Sequence, residues 1–176
     1  MATPKEYLAE TIRCCHSEYP YSGGTLRHRF DFVAFLTLRL RATVAWGSPT
    51  KNYHVGEPIE GPGHCGTLSA MACAILAELP METRLVSFWD TNLGRPFHTA
   101  FEANLQTDTG KPCWSFYDPT FVFWCWDGGP LGINELHRSP LGLAWDQHFS
   151  AARILLPEMP MMKVLNAHYT KSNFNG

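Results

Sequence analysis

The chain has 176 residues, long enough for one domain with a proper core, and with 45% hydrophobic and 13% aromatic residues it is not a disordered protein. Its 14 basic and 16 acidic side chains leave a formal charge of -2, which gives no electrostatic footprint for nucleic acid or an anionic membrane surface. No stretch approaches the roughly 20 apolar residues of a membrane span, and Met1-Ala2-Thr3-Pro4-Lys5-Glu6 lacks the apolar core of a signal peptide, so a single cytoplasmic domain over residues 1–176 is expected.

In chain order, Thr3, Pro4 and Glu6 form a capping box with Pro at the first helical position, predicting a helix to about Ser17. Gly23-Gly24 interrupts. Apolar residues at helical spacing (Phe32, Val33, Leu36, Leu40, Val44) predict a second helix within residues 30–46. Pro49, Pro58 and Pro62, with several glycines, make 47–63 a long surface loop that leads directly to Cys65. Residues 67–79 are rich in Ala, Leu and Met and carry a buried stripe at Leu68, Ala72, Ile75, Leu76 and Leu79, stopped by Pro80. The small residues Ala70, Ala72, Ala74 and Ala77 suit a central helix packed closely on a sheet.

Residues 84–89 read as a buried strand, and 97–105 alternate, with Phe97, Thr99, Phe101, Ala103 and Leu105 on one face and His98, Ala100, Glu102 and Asn104 on a more polar one. Residues 106–112 form a turn and 113–118 the return strand, closed by Pro119. A loop is expected over 124–130, a short helix at 133–136, another helix over 142–155, and a polar tail in the last dozen residues.

Six cysteines show no disulfide framework, and no CxxC pair, HExxH or carboxylate loop predicts a metal site. Cys73, Cys113 and Cys125 read as small buried hydrophobes. Cys65 differs: in Gly63-His64-Cys65-Gly66 it stands at a helix start, where the helix dipole and a histidine partner lower a thiol pKa from about 8.5. A hairpin centred near Asp108 puts Asp118 opposite His98, and Pro119 keeps Asp118 extended. Cys65 then reads as nucleophile, His98 as base and Asp118 as the group that orients the imidazole. His64 adjoins Cys65, but its side chain is expected to diverge at the turn.

These three motifs resemble the core of the transglutaminase-like superfamily, which runs Gly-x-Cys, a helix, a strand with His and a strand ending in Asp-Pro-Thr. Here they stand as Gly63-His64-Cys65, His98-Thr99-Ala100-Phe101-Glu102 and Tyr117-Asp118-Pro119-Thr120, within residues 60–124. The resemblance implies an α+β, papain-like fold with the cysteine helix against an antiparallel sheet, the same three catalytic roles, and no metal or organic cofactor for the chemistry. It implies acyl transfer or amide hydrolysis through a thioester on Cys65, with a peptide or small-molecule acyl donor and water or an amine as acceptor. An upstream aromatic often assists the oxyanion hole in the family, for which Trp46 and Tyr53 are the candidates. Relatives commonly carry Trp two residues after the His; Ala100 stands there, implying an acceptor side that is more open or differently lined. A rival reading is a catalytically silent binding domain of the same fold, with the aromatic run from Phe116 to Trp126 as its surface, although an intact trio weighs against it.

Overall fold

The computed structural model describes residues 2–15, 24–47, 53–90, 95–138 and 168–173. It is an α+β arrangement in which helices α1 (Pro4–Cys14), α2 (Leu26–Thr43) and α3 (Cys65–Leu76) precede a five-stranded antiparallel sheet. The strands are β1 (Thr83–Asp90), β2 (Arg95–Asn104), β3 (Trp114–Asp118), β4 (Phe123–Trp124) and β5 (His168–Asn173), in the spatial order β4-β3-β2-β1-β5, and the short helix α4 (Ile133–Arg138) follows β4.

The capping box on α1 forms as the sequence predicts, but the helix stops at Cys14; Ser17 lies outside the described residues. Helix α2 begins at Leu26, earlier than its apolar spacing suggested, because Thr25 and His28 build a second capping box ahead of the apolar stripe. Helix α3 is buried on nearly all sides from Thr67 to Leu76, as a helix without a polar face must be. It lies against α1, α2, β1 and β2 and so forms the centre of the molecule. Fully burying Leu68, Ile75 and Leu76 stabilises this placement by about 1.5–3 kcal/mol each.

The sheet has two buried faces. Phe101, Ala103, Leu105 and Tyr117 join the core formed with the three long helices. The opposite face carries Val86, Phe88, Ala100 and Phe116, covered by Phe121 and by Ile133 and Leu136 of α4. The alternation in β2 is thus as expected, yet its more polar face is not wet: His98 and Glu102 are 1% and 0% exposed. Glu102 is satisfied there by the Arg84 guanidinium at 2.7 Å and by the Ile133 N–H at 2.7 Å.

Two expectations are corrected at the edges. The loop expected from Trp124 contains the end of β4, whose two-residue pairing with β3 is too short to leave a periodic signal. The expected polar tail contains β5, which pairs with β1; an edge strand draws its order from the main-chain ladder and needs no apolar signature. The helix expected over 142–155 lies outside the described residues. Among the described residues no helix is long and apolar enough to cross a membrane.

Candidate active site

Cys65 opens α3, and the chain around it is held from both sides. Gly63 forms a bridge with Trp46, donating to the Ala45 carbonyl at 2.8 Å and accepting from the Gly47 N–H at 3.2 Å. A Cβ on Gly63 would sit 3.1 Å from both Thr67 Cγ2 and Val44 Cγ1, so a larger residue would have to push these side chains aside. Further upstream, the Ile59 N–H donates to Ala2 at 2.7 Å, tacking the loop that leads to Cys65 onto the N-terminal segment.

One residue of β2 meets two side chains of α3. The Ser69 hydroxyl donates to the Thr99 carbonyl at 3.1 Å, and the Thr99 N–H helps to lower the Cys65 thiol. Cys65 and Ser69 are four residues apart and share a helix face, so the thiol and the serine hydroxyl point the same way. Thr99 follows His98, which brings the imidazole to the helix tip. There the side chains of Cys65 and His98 come close enough to shift each other's titration.

His98 Nε2 lies 2.7 Å from Asp118 Oδ2, with both side chains fully buried. The other carboxylate oxygen of Asp118 accepts from the Thr120 N–H at 3.0 Å and the Phe121 N–H at 3.3 Å. Asp-Pro-Thr is therefore a turn whose backbone clamps the carboxylate that meets the imidazole. The ring is flanked by Phe88, stacked at a centroid distance of 5.7 Å, and by Phe121 at 5.2 Å. With Nε2 committed to Asp118, Nδ1 is the nitrogen left to exchange a proton with Cys65.

The electrostatics follow from these contacts. Burial alone pushes the Cys65 thiol up, but the hydrogen bond and charge of His98 and the Thr99 N–H outweigh it, and the thiol is lowered from its ordinary value. Burial alone pushes His98 down, but the charge and hydrogen bond of Asp118, then those of Cys65, outweigh it and raise the imidazole to about 10. Burial pushes the thiols of Cys15, Cys73, Cys113 and Cys125 up, Cys73 to about 12. Low-pKa thiols are the reactive ones, and Cys65 moves in the opposite direction from these four.

The remaining candidates divide. Trp46 is half-buried and packs against both apolar clusters, bridged to Gly63 beside the nucleophile. Tyr53 donates its hydroxyl to the Glu57 carbonyl at 3.1 Å and packs on the helical core, so that hydroxyl is committed elsewhere. His64 caps α3, its Nδ1 accepting from the Thr67 N–H at 3.3 Å. Sequence reasoning overlooked Ser69 and Phe88; the signal available was a serine one helical turn after the cysteine, on the face turned to the sheet.

Among the described residues no group of three or more His, Cys, Asp or Glu side chains is disposed to hold a metal ion. A cavity of about 470 Å³ lies at the far end of the β2–β3 hairpin, between Thr25, Arg29, Met81 and Asp108, and shares no lining residue with the trio. Its Arg29 guanidinium is engaged by the Gln106 carbonyl and the Asp108 carboxylate. Compared with known proteins, the chain matches no family model, no curated protein and no solved structure.

Proposed function

We propose that this protein is a thiol acyl-transfer enzyme of the transglutaminase-like, papain-like type, with Cys65 as nucleophile, His98 as general base and acid, and Asp118 as orienter. The observation that carries the reading is the His98–Asp118 hydrogen bond to a backbone-clamped carboxylate, with Cys65 coupled electrostatically to the same imidazole. A lowered thiol facing a raised imidazole favours a thiolate–imidazolium pair, the reactive form of such a couple.

In the first half-reaction the thiolate adds to an amide or ester carbonyl, and the oxyanion faces the tip of α3. The Cys65 N–H, among the first helix donors with no intrahelical acceptor, suits that charge, and Trp46 borders the same turn. Collapse breaks the bond to the leaving group, which takes the proton from His98, and leaves a thioester on Cys65. In the second half-reaction His98 removes a proton from water or an amine as it attacks the thioester, and the thiolate departs. The acyl donor is a peptide or small molecule, and the protein acts in the cytoplasm.

Mass spectrometry of the protein exposed to activated esters and glutamine peptides tests this directly. An acyl adduct on Cys65, absent in His98→Ala, supports the enzyme. No adduct across a broad panel favours the silent binding domain.

A further inference from the structure

We infer that His64 is a positioning residue for Cys65 that works only while its imidazole is neutral, so that protonating this ring releases the helix tip bearing the nucleophile. The inference rests on the acyl-transfer reading of Cys65.

The N-cap of a helix is ordinarily Ser, Thr, Asp or Asn, whose side-chain oxygens stay acceptors throughout the neutral range. Helix α3 uses a histidine instead. His64 has extended backbone angles, accepts the Leu68 N–H on its carbonyl at 2.9 Å, and accepts the Thr67 N–H on Nδ1 at 3.3 Å. The ring lies against Gly66, where a Cβ would come within 3.2 Å of Cε1, so the residue following the nucleophile is kept bare to admit it.

Accepting from Thr67 requires a lone pair on Nδ1, which only the neutral ring has in the correct tautomer. Once protonated, Nδ1 is a donor. The Thr67 hydroxyl, 3.4 Å away, can receive it, but the Thr67 N–H then has no acceptor in a residue only 5% exposed. The new positive charge also stands at the positive end of the α3 dipole. Both effects loosen the first turn, and that turn aims the Cys65 sulfur at His98 and the Thr99 N–H.

An opposing effect exists, since a cation beside Cys65 favours its thiolate. His64 is exposed, so water screens that attraction, whereas loss of the cap moves the sulfur itself. Among the described residues, Cys65 is the titratable group next to His64 in the chain, and Cys65 is coupled to His98 and Asp118. Arg41 lies beyond Trp46, over whose ring it sits at 6.0 Å, and Glu60 stands in the preceding loop. Among the described residues no ion pair reaches His64.

The test is the rate of iodoacetamide labelling at Cys65 in the full chain, followed by mass spectrometry from about pH 5 to 9, spanning the range in which imidazoles titrate. His64→Asn keeps a cap that does not titrate there; His64→Ala has none. The wild-type rate is expected to fall more steeply on the acid side than loss of the thiolate alone requires. His64→Asn should match wild type at about pH 8, retain only the thiolate step, and label several-fold faster than wild type near the acid end. His64→Ala should be slow throughout, with Asn as its rescue. Superimposable profiles for wild type and His64→Asn overturn the inference even if His64→Ala does not fold. Wild-type labelling at about pH 8 no faster than at Cys113 overturns the acyl-transfer reading itself, and this inference with it.

Discussion

His98 and Asp118 hydrogen-bond at 2.7 Å although they are not cross-strand partners. The β2–β3 register pairs Phe101 with Tyr117 and Glu102 with Phe116, and continuing it sets Asp118 level with Ala100. The carboxylate therefore reaches His98 along the diagonal, a step of two residues that keeps both side chains on one face. The Thr120 and Phe121 N–H groups hold it in that reach.

Asp118→Asn separates charge from geometry. Asparagine retains an oxygen for the two backbone donors but cannot stabilise an imidazolium, so acylation of Cys65 should fall by roughly 100- to 10,000-fold while the fold persists. Asp118→Ala removes the clamp as well and strands a buried charge, costing about 3–5 kcal/mol in chemical denaturation. Equal stability in the two variants would show that the clamp contributes nothing.

Stability should respond to pH in a way set by the opposed shifts of Cys65 and His98. His98 is raised, so its contribution is complete below the ordinary imidazole value of 6.5 and is lost as pH rises through about 10. Cys65 is lowered, so its contribution is present above the ordinary thiol value of 9.0 and is lost as pH falls through its folded value. From the folded Cys65 value, or from 6.5 if that is higher, up to 9.0, the folded and unfolded states bind equal numbers of protons at this pair, and its contribution is flat. Cys65→Ser removes the thiol, so the decline tied to His98 should begin just above 6.5. Denaturation midpoints of both proteins across this range check it; parallel curves would contradict the pairing.

Ser69→Ala removes the bond that ties α3 to Thr99. A loss of about 0.5–1.5 kcal/mol is expected from one net hydrogen bond, accompanied by slower labelling of Cys65 because its anchor on β2 is gone. A stability loss with unchanged labelling would mean that Ser69 serves the core alone.

Gly63→Ala and Gly61→Ala make a matched pair. The first drives a Cβ to within 3.1 Å of Val44 and Thr67 and should cost about 1–3 kcal/mol while displacing the Cys65 turn. The second adds a Cβ into open space at φ +80°, costing about 1–2 kcal/mol in backbone strain with Cys65 reactivity unchanged. Circular dichroism melts and labelling rates distinguish them.

The sequence carried more of the trio than of the architecture, for physical reasons visible at particular residues. Capping at Thr3, alternation along β2 and the helix start at Cys65 are local signals, and each appears in the structure. The expected register was two residues out because the turn is centred on Thr109, as the Thr107–Lys111 hydrogen bond shows, rather than on Asp108. Side-chain alternation has a period of two, so this error left His98 and Asp118 on a common face and the contact survived. Strand β5 and the covering of the His98 face by α4 depend on chain returning from distant positions, which no local pattern announces. The same holds for Ser69, whose role appears only once Thr99 is beside it.

The most direct measurement is the pH dependence of iodoacetamide alkylation at Cys65 in wild type and His98→Ala. A thiolate paired with His98 predicts rapid labelling at neutral pH, with a midpoint below the ordinary thiol value of 9.0, and loss of that advantage in His98→Ala. A midpoint at the ordinary thiol value, identical in both proteins, would contradict the account.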